Sequence, residues 1–102
     1  MSALLELAAR VEAATGPDRE LDRAICLATD PHYMAEFTKS LDAAMTLVSE
    51  GWDWQVIARA TGDATGIVYE FEAAPPFRSY NSEAATPALA LVAACLRARE
   101  AA

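Results

Sequence analysis

Histidine occurs once in this chain, at His32, and lysine once, at Lys39. One imidazole leaves a catalytic triad or a multi-histidine metal site without its usual second ring. No nucleophile stands in a recognisable elbow either, so His32 beside Asp30 reads first as part of the turn DPHY. Cysteine is equally sparse. Cys26 and Cys95 lie in no CxxC spacing, which argues against zinc, and each falls in an apolar helical pattern that predicts a buried thiol. The segment TGDATG holds two glycines but neither a GxGxxG nor a GxxxxGK[ST] pattern, so no phosphate cradle is indicated. No cofactor or metal is expected, and the chain is not expected to be an enzyme.

Positive charge is also scarce, with 8 Lys and Arg against 15 Asp and Glu and a net charge of −7. The basic residues are scattered, and none form the stripe that neutralises phosphates, so direct nucleic-acid binding is not expected. The longest apolar stretch, AATPALALVAACL, is too short to span a bilayer and contains Pro87. Glu6 precedes Arg10, and no basic segment leads an apolar run as in a secretory signal. A cytoplasmic protein without membrane association is the expectation.

What the chain does have is apolar content, 54% over 102 residues, enough for one domain spanning 1–102. Much of it is alanine, so the larger side chains must carry the core. Leu4, Leu7, Ala8, Val11 and Ala14 recur at helical spacing after a capping Ser2, and Gly16-Pro17 ends that helix. A second helix is predicted from Pro17, with the stripe Leu21, Ala24, Ile25 and Ala28. Ser40 caps a third over LDAAMTLVSE, burying Leu41, Ala44, Met45 and Val48, with Gly51 ending it in a left-handed conformation.

The pattern then switches to alternation. WDWQVIARA predicts a strand with Trp52, Trp54, Val56 and Ala58 on one face. After TGDATG, IVYEFEA predicts its hairpin partner, with Ile67, Tyr69 and Phe71 inward and Val68, Glu70 and Glu72 outward. Matching these faces sets Trp54 near Phe71 and Val56 near Tyr69. Phe77–Asn81 can supply a third, edge strand beyond Pro75-Pro76. Thr86-Pro87 opens a final helix with the stripe Ala88, Leu89, Val92, Cys95 and Leu96, and Arg97 and Arg99 suit its negative end. The fold class is therefore α+β: a two- or three-stranded antiparallel sheet covered by helices, in the order α-α-α-β-β-(β)-α. Ile57 and Val68 on the outer face suggest helix cover there too, a small helix–sheet–helix sandwich.

Two tryptophans one residue apart form either a stacking platform or a core keystone. Alternation in step with Tyr69 and Phe71 favours the core. Glu70 and Glu72 share a strand face, where alternating acids ordinarily mark the wet side rather than an acid–base pair.

The block FTKSLDAAMTLVSEGWDWQV, together with AATPALALVAACLRARE, resembles a group of small bacteriophage and prophage proteins of the "ABA sandwich" type. The matching residues are Tyr33, Ser40–Ala44, Gly51, Trp52, Trp54 and 85–99, within a resemblance covering about residues 18–100. It brings no catalytic residues. It implies a phage-borne accessory protein that binds a host protein or ribonucleoprotein defence complex, for instance a CRISPR–Cas effector, and inhibits it. An acidic surface suits a basic channel on such a target, and Asp53, Asp63, Glu70 and Glu72 are the candidate contacts, taken to cluster on the hairpin. The alternative is a sponge for a signalling nucleotide, with Phe77 and Tyr80 stacking the base and Arg78 holding phosphate. A homodimer would pool the few arginines.

Overall fold

The computed structural model describes residues 2–29, 34–70 and 78–101. Helices α1 (Ala3–Ala13), α2 (Arg19–Thr29) and α3 (Leu41–Met45) precede strands β1 (Trp52–Ala58), β2 (Ala64–Glu70) and β3 (Ser79–Ala84). Helix α4 (Pro87–Ala101) closes the chain. The strands form one antiparallel sheet in the order β1-β2-β3, so the expected α+β architecture is present with the third strand made. That strand lies later than the expected Phe77–Asn81 and ends later. Phe77 lies outside the described residues, as do Asp30, His32, Tyr33, Phe71 and Glu72.

Capping follows the sequence closely. Ser2 accepts the Leu5 N–H, Ser40 the Ala43 N–H at 3.2 Å, and Thr86 the Leu89 N–H at 3.2 Å. Helix α2 starts two residues after Pro17 because Asp18 is the cap: its Oδ1 accepts the Glu20 and Leu21 N–H groups at 2.9 and 3.2 Å. Helix α3 is much shorter than expected. After Met45 the chain tightens, with Leu47 N–H reaching Ala44 C=O at 3.0 Å and Val48 N–H reaching Met45 C=O at 3.1 Å. This rotates Leu47 into the core and leaves Met45 37% exposed, while Ala44 is buried and Leu41 and Val48 pack against the core as expected. Gly51 does adopt the left-handed conformation, φ 85°.

Helix α4 is the centre of the molecule. Ala88 through Leu96 are all buried, not only the predicted stripe, because α4 lies across the sheet with α1 and α3 packed on its other sides. Its run of small side chains lets backbones approach closely. A Cβ on Gly66 of β2 would stand 2.5 Å from the Ala90 carbonyl oxygen.

That approach overturns the expected face of β2. Ala64, Gly66 and Val68 point to α4, and Ile67 and Tyr69 to the other side. The register follows: Trp54 pairs with Val68 and Val56 with Gly66, instead of with Phe71 and Tyr69. The offset is odd, which exchanges faces in a period-two strand. The cause is the hairpin, whose tip is only Ala60-Thr61-Gly62, with Gly62 at φ 100°. Ala64-Thr65-Gly66 thus belongs to the ladder rather than the turn.

The second helix layer is also absent among the described residues. Only α4 and α1 touch strands, α1 reaching β3 from beside α4. The sheet therefore has two sides of different kinds, one under α4 and one open among the described residues.

Candidate functional site

The open side is built from alternate residues of the three strands. Asp53, Gln55 and Ile57 of β1 pair with Tyr69, Ile67 and Thr65 of β2. These in turn face Ser79, Asn81 and Glu83 of β3. Ile57 is 49% exposed, while Ile67 and Tyr69 are half-buried. The pleat makes Ile57 and Ile67 diagonal neighbours, so an apolar centre is ringed by amide, hydroxyl and carboxylate groups. At one end Arg59 donates to Thr65 at 2.7 Å and to Glu83 at 2.9 Å and stands 3.8 Å from Asp63. A hydrogen bond from Thr61, helped by the Arg59 charge, holds the Asp63 carboxyl below its ordinary value.

The second grouping lies on the helix side, at the end of the sheet where β2 closes on Glu70. Trp52 sits 5.9 Å from the Tyr80 ring, and the Arg78 guanidinium carbon lies 5.7 Å from the Trp52 ring centroid. Glu70 accepts from Arg78 Nε at 2.6 Å and from the Arg78 N–H at 3.2 Å. The hydrogen bond from the Arg78 side chain lowers the Glu70 pKa, and the same bond raises that of Arg78. A narrow crevice beside Trp52 is lined by Leu47, Val48, Ser49, Val68, Cys95 and Ala98. Its volume is about 10 Å³, room for a water and no more.

The described acids of the expected set, Asp53, Asp63 and Glu70, lie on the β1–β2 hairpin but not on one face of it. Asp53 lies on the open face, whereas Glu70, paired with Trp52, lies on the helix side. Asp63 and Glu70 flank β2 at opposite ends, about 23 Å apart along an extended strand. Both are engaged by arginines, Arg59 and Arg78. Glu72 lies outside the described residues. Of the alternative ligand set, Arg78 and Tyr80 do come together, around Trp52, and Phe77 lies outside the described residues.

The two tryptophans are half-buried and packed against the core cluster, so they are part of the core's margin. Both cysteines are buried and unbridged, as their helical setting predicted. Burial pushes the Cys95 thiol up to about 12, which makes it a poor nucleophile. Among the described residues no group of three or more His, Cys, Asp and Glu could hold a metal. None of their helices is long and apolar enough to cross a membrane.

Sequence reasoning missed the open apolar face because it assigned Ile67 and Tyr69 to the core. The signal was present in Ala64-x-Gly66, small residues at strand spacing that match the alanines of α4. No protein-family profile, curated protein or solved structure matches the chain.

Proposed function

We propose that the protein is a non-enzymatic binding module whose open sheet face docks on another protein. The biological setting is the one the phage-protein resemblance implies: an accessory protein that inhibits a host defence component, such as a CRISPR–Cas complex. The observation that carries the reading is the uncovered centre of Ile57, Ile67 and Tyr69, with Asp53, Gln55, Asn81 and Glu83 around it. An apolar middle with a polar rim is the anatomy of a protein interface. Asp53 and Glu83 supply the acidic part, and the net charge of −7 biases encounter toward a basic target.

The test is capture from lysate of a bacterial host by the immobilised protein, compared with Ile57→Lys and with Glu20→Lys on α2. A partner held by the wild type and by Glu20→Lys but lost with Ile57→Lys supports the reading. An identical captured set for all three baits removes it.

A second reading, a small-ligand sponge, is favoured by one observation, the convergence of Trp52, Arg78 and Tyr80. Glu70 already occupies the Arg78 guanidinium, so an anionic ligand must displace a carboxylate to bind. A panel of cyclic nucleotides read by thermal shift separates the two. A ligand at about a hundredfold its Kd stabilises by about 2.7 kcal/mol. Such a rise in Tm, lost in Arg78→Ala, would establish the sponge.

A further inference from the structure

The sheet has two edges, and they are treated differently. Both α4 and α1 contact β3, whereas the only helix touching β1 is α4, which lies on its face. The edge of β1 is lightly protected: WDWQVIA has no proline, no lysine and no bulge, pairs with β2 without a break, and carries one charge, Asp53.

Hairpin geometry fixes which backbone groups point outward there. Arg59 N–H donates to Asp63 C=O and Gly62 N–H to Arg59 C=O, both at 3.0 Å. Arg59 and Asp63 are thus a hydrogen-bonded pair, and by alternation Ile57, Gln55 and Asp53 bond inward to β2. Ala58, Val56 and Trp54 therefore aim their N–H and C=O groups away from the sheet. The same parity appears on the far side of β2, where Glu70 N–H reaches Arg78 C=O at 3.0 Å. Trp54 N–H is held by the Asp53 carboxylate at 2.8 Å. No described residue supplies a partner to the outward groups of Val56 and Ala58.

We propose that β1 pairs antiparallel with β1 of a second copy, about a two-fold axis at Val56, joining the two sheets edge to edge. This register sets Val56 against Val56 and Trp54 against Ala58, so all the outward groups meet outward groups. It sets Gln55 against Ile57 and Asp53 against Arg59 of the other copy. Sliding in the steps that keep backbone phase loses this match, and one such register opposes Asp53 to Asp53. In the paired form Asp53 hands the Trp54 N–H to the Ala58 carbonyl of the second copy and turns toward that copy's Arg59, which in its own chain bonds Thr65 and Glu83 through Nη2 and stands 3.8 Å from Asp63 through Nη1. The two open faces then become one continuous face, with the Ile57 side chains on either side of the axis. The pairing uses the strand's edge, so it stands whether or not the open face docks a partner.

Sedimentation velocity on the full chain up to about 1 mM should show reversible association. Val56→Pro removes an N–H that points to solvent, a position where an edge strand tolerates proline, and should cut association about tenfold or more while circular dichroism is unchanged. Val56→Cys should oxidise readily to a linked dimer, because a hydrogen-bonded antiparallel pair sets the Cα atoms about 5.5 Å apart, within disulfide range. Ala60→Cys at the hairpin tip is the control. A wild type that stays monomeric throughout overturns the proposal. So does a folded Val56→Pro that associates like the wild type, or a Val56→Cys that links no faster than Ala60→Cys. Should Val56→Pro fail to fold, the cysteine comparison decides alone.

Discussion

The hydrogen atom that serves as the side chain of Gly66 decides where a helix sits. Any methyl there would meet the Ala90 carbonyl oxygen at 2.5 Å, and both partners are backbone, with no rotamer to yield. Gly66→Ala should therefore cost about 3 kcal/mol, at the upper end of overpacking effects, although alanine is otherwise the better residue in a strand. Urea unfolding checks this; an unchanged midpoint would show that α4 does not press on the sheet here. Asp22 is a second position where one group carries much. It is 1% exposed on α2, and its Oδ1 accepts both the Thr38 N–H and the Thr38 hydroxyl at 2.8 Å. Thr38 in turn accepts the Asp18 N–H at 2.8 Å, so the start of α2 is fastened to the segment before α3. Asp22→Ala leaves a buried N–H unpaired and should cost about 2 kcal/mol. Asp22→Asn keeps an acceptor and should cost less by the same assay.

At the scale of elements, helix existence was readable from caps and periodicity, while helix extent was not. Ser2, Ser40 and Thr86 each mark a start that the structure keeps, because a cap is a local exchange between a side-chain oxygen and N–H groups a few residues on. The end of α3 depends on Leu47 reaching the core beside α4, a contact with no local trace. The face of β2 was misread for a related reason: alternation gives the period of a strand, but which phase is buried depends on the partner. Ile67 and Tyr69 are the larger apolar residues, and size argued for the interior. The partner is an alanine-rich helix that needs small residues under it, so Ala64 and Gly66 are inside. Asp22 escaped notice altogether, since a carboxylate beside a leucine stripe reads as solvated until Thr38 is seen opposite.

The same scale governs acid stability. Glu12 of α1 receives Arg97 Nε of α4 at 3.0 Å and a second bond from Arg97 Nη2. Partial burial pushes the Glu12 pKa up, but the hydrogen bonds from Arg97 and the Arg97 charge help to outweigh it, so the net shift is downward. A carboxyl whose folded pKa lies below its unfolded one stabilises fully above the unfolded value, near 4.3 for Glu, and loses that contribution as pH falls through the folded one. Glu12→Gln should thus lower stability by about 1 kcal/mol at pH 7, and by progressively less below about pH 4. Denaturant midpoints across that range check the sign; a gap that widens in acid would contradict it.

Over the whole molecule, stability is concentrated in one layer. Every described helix packs directly or through α1 and α4 onto one side of the sheet, and among the described residues the other side rests on cross-strand neighbours. Two adjacent residues of β2 therefore belong to different environments despite similar chemistry. Val68 is 2% exposed and lies in the core cluster; Ile67 is half-buried on the open face. Replacing each with threonine keeps β-branching and strand propensity, so the difference between the variants reports the face and little else. Val68→Thr places a hydroxyl in the apolar layer next to α4 and should cost about 2 kcal/mol. Ile67→Thr should cost about 0.5 kcal/mol, since its hydroxyl reaches water. The inverted arrangement, with Ile67 and Tyr69 beneath the helices, predicts the opposite order. Chemical unfolding of the pair thus distinguishes the two architectures, and with them the location of the surface proposed to meet a partner.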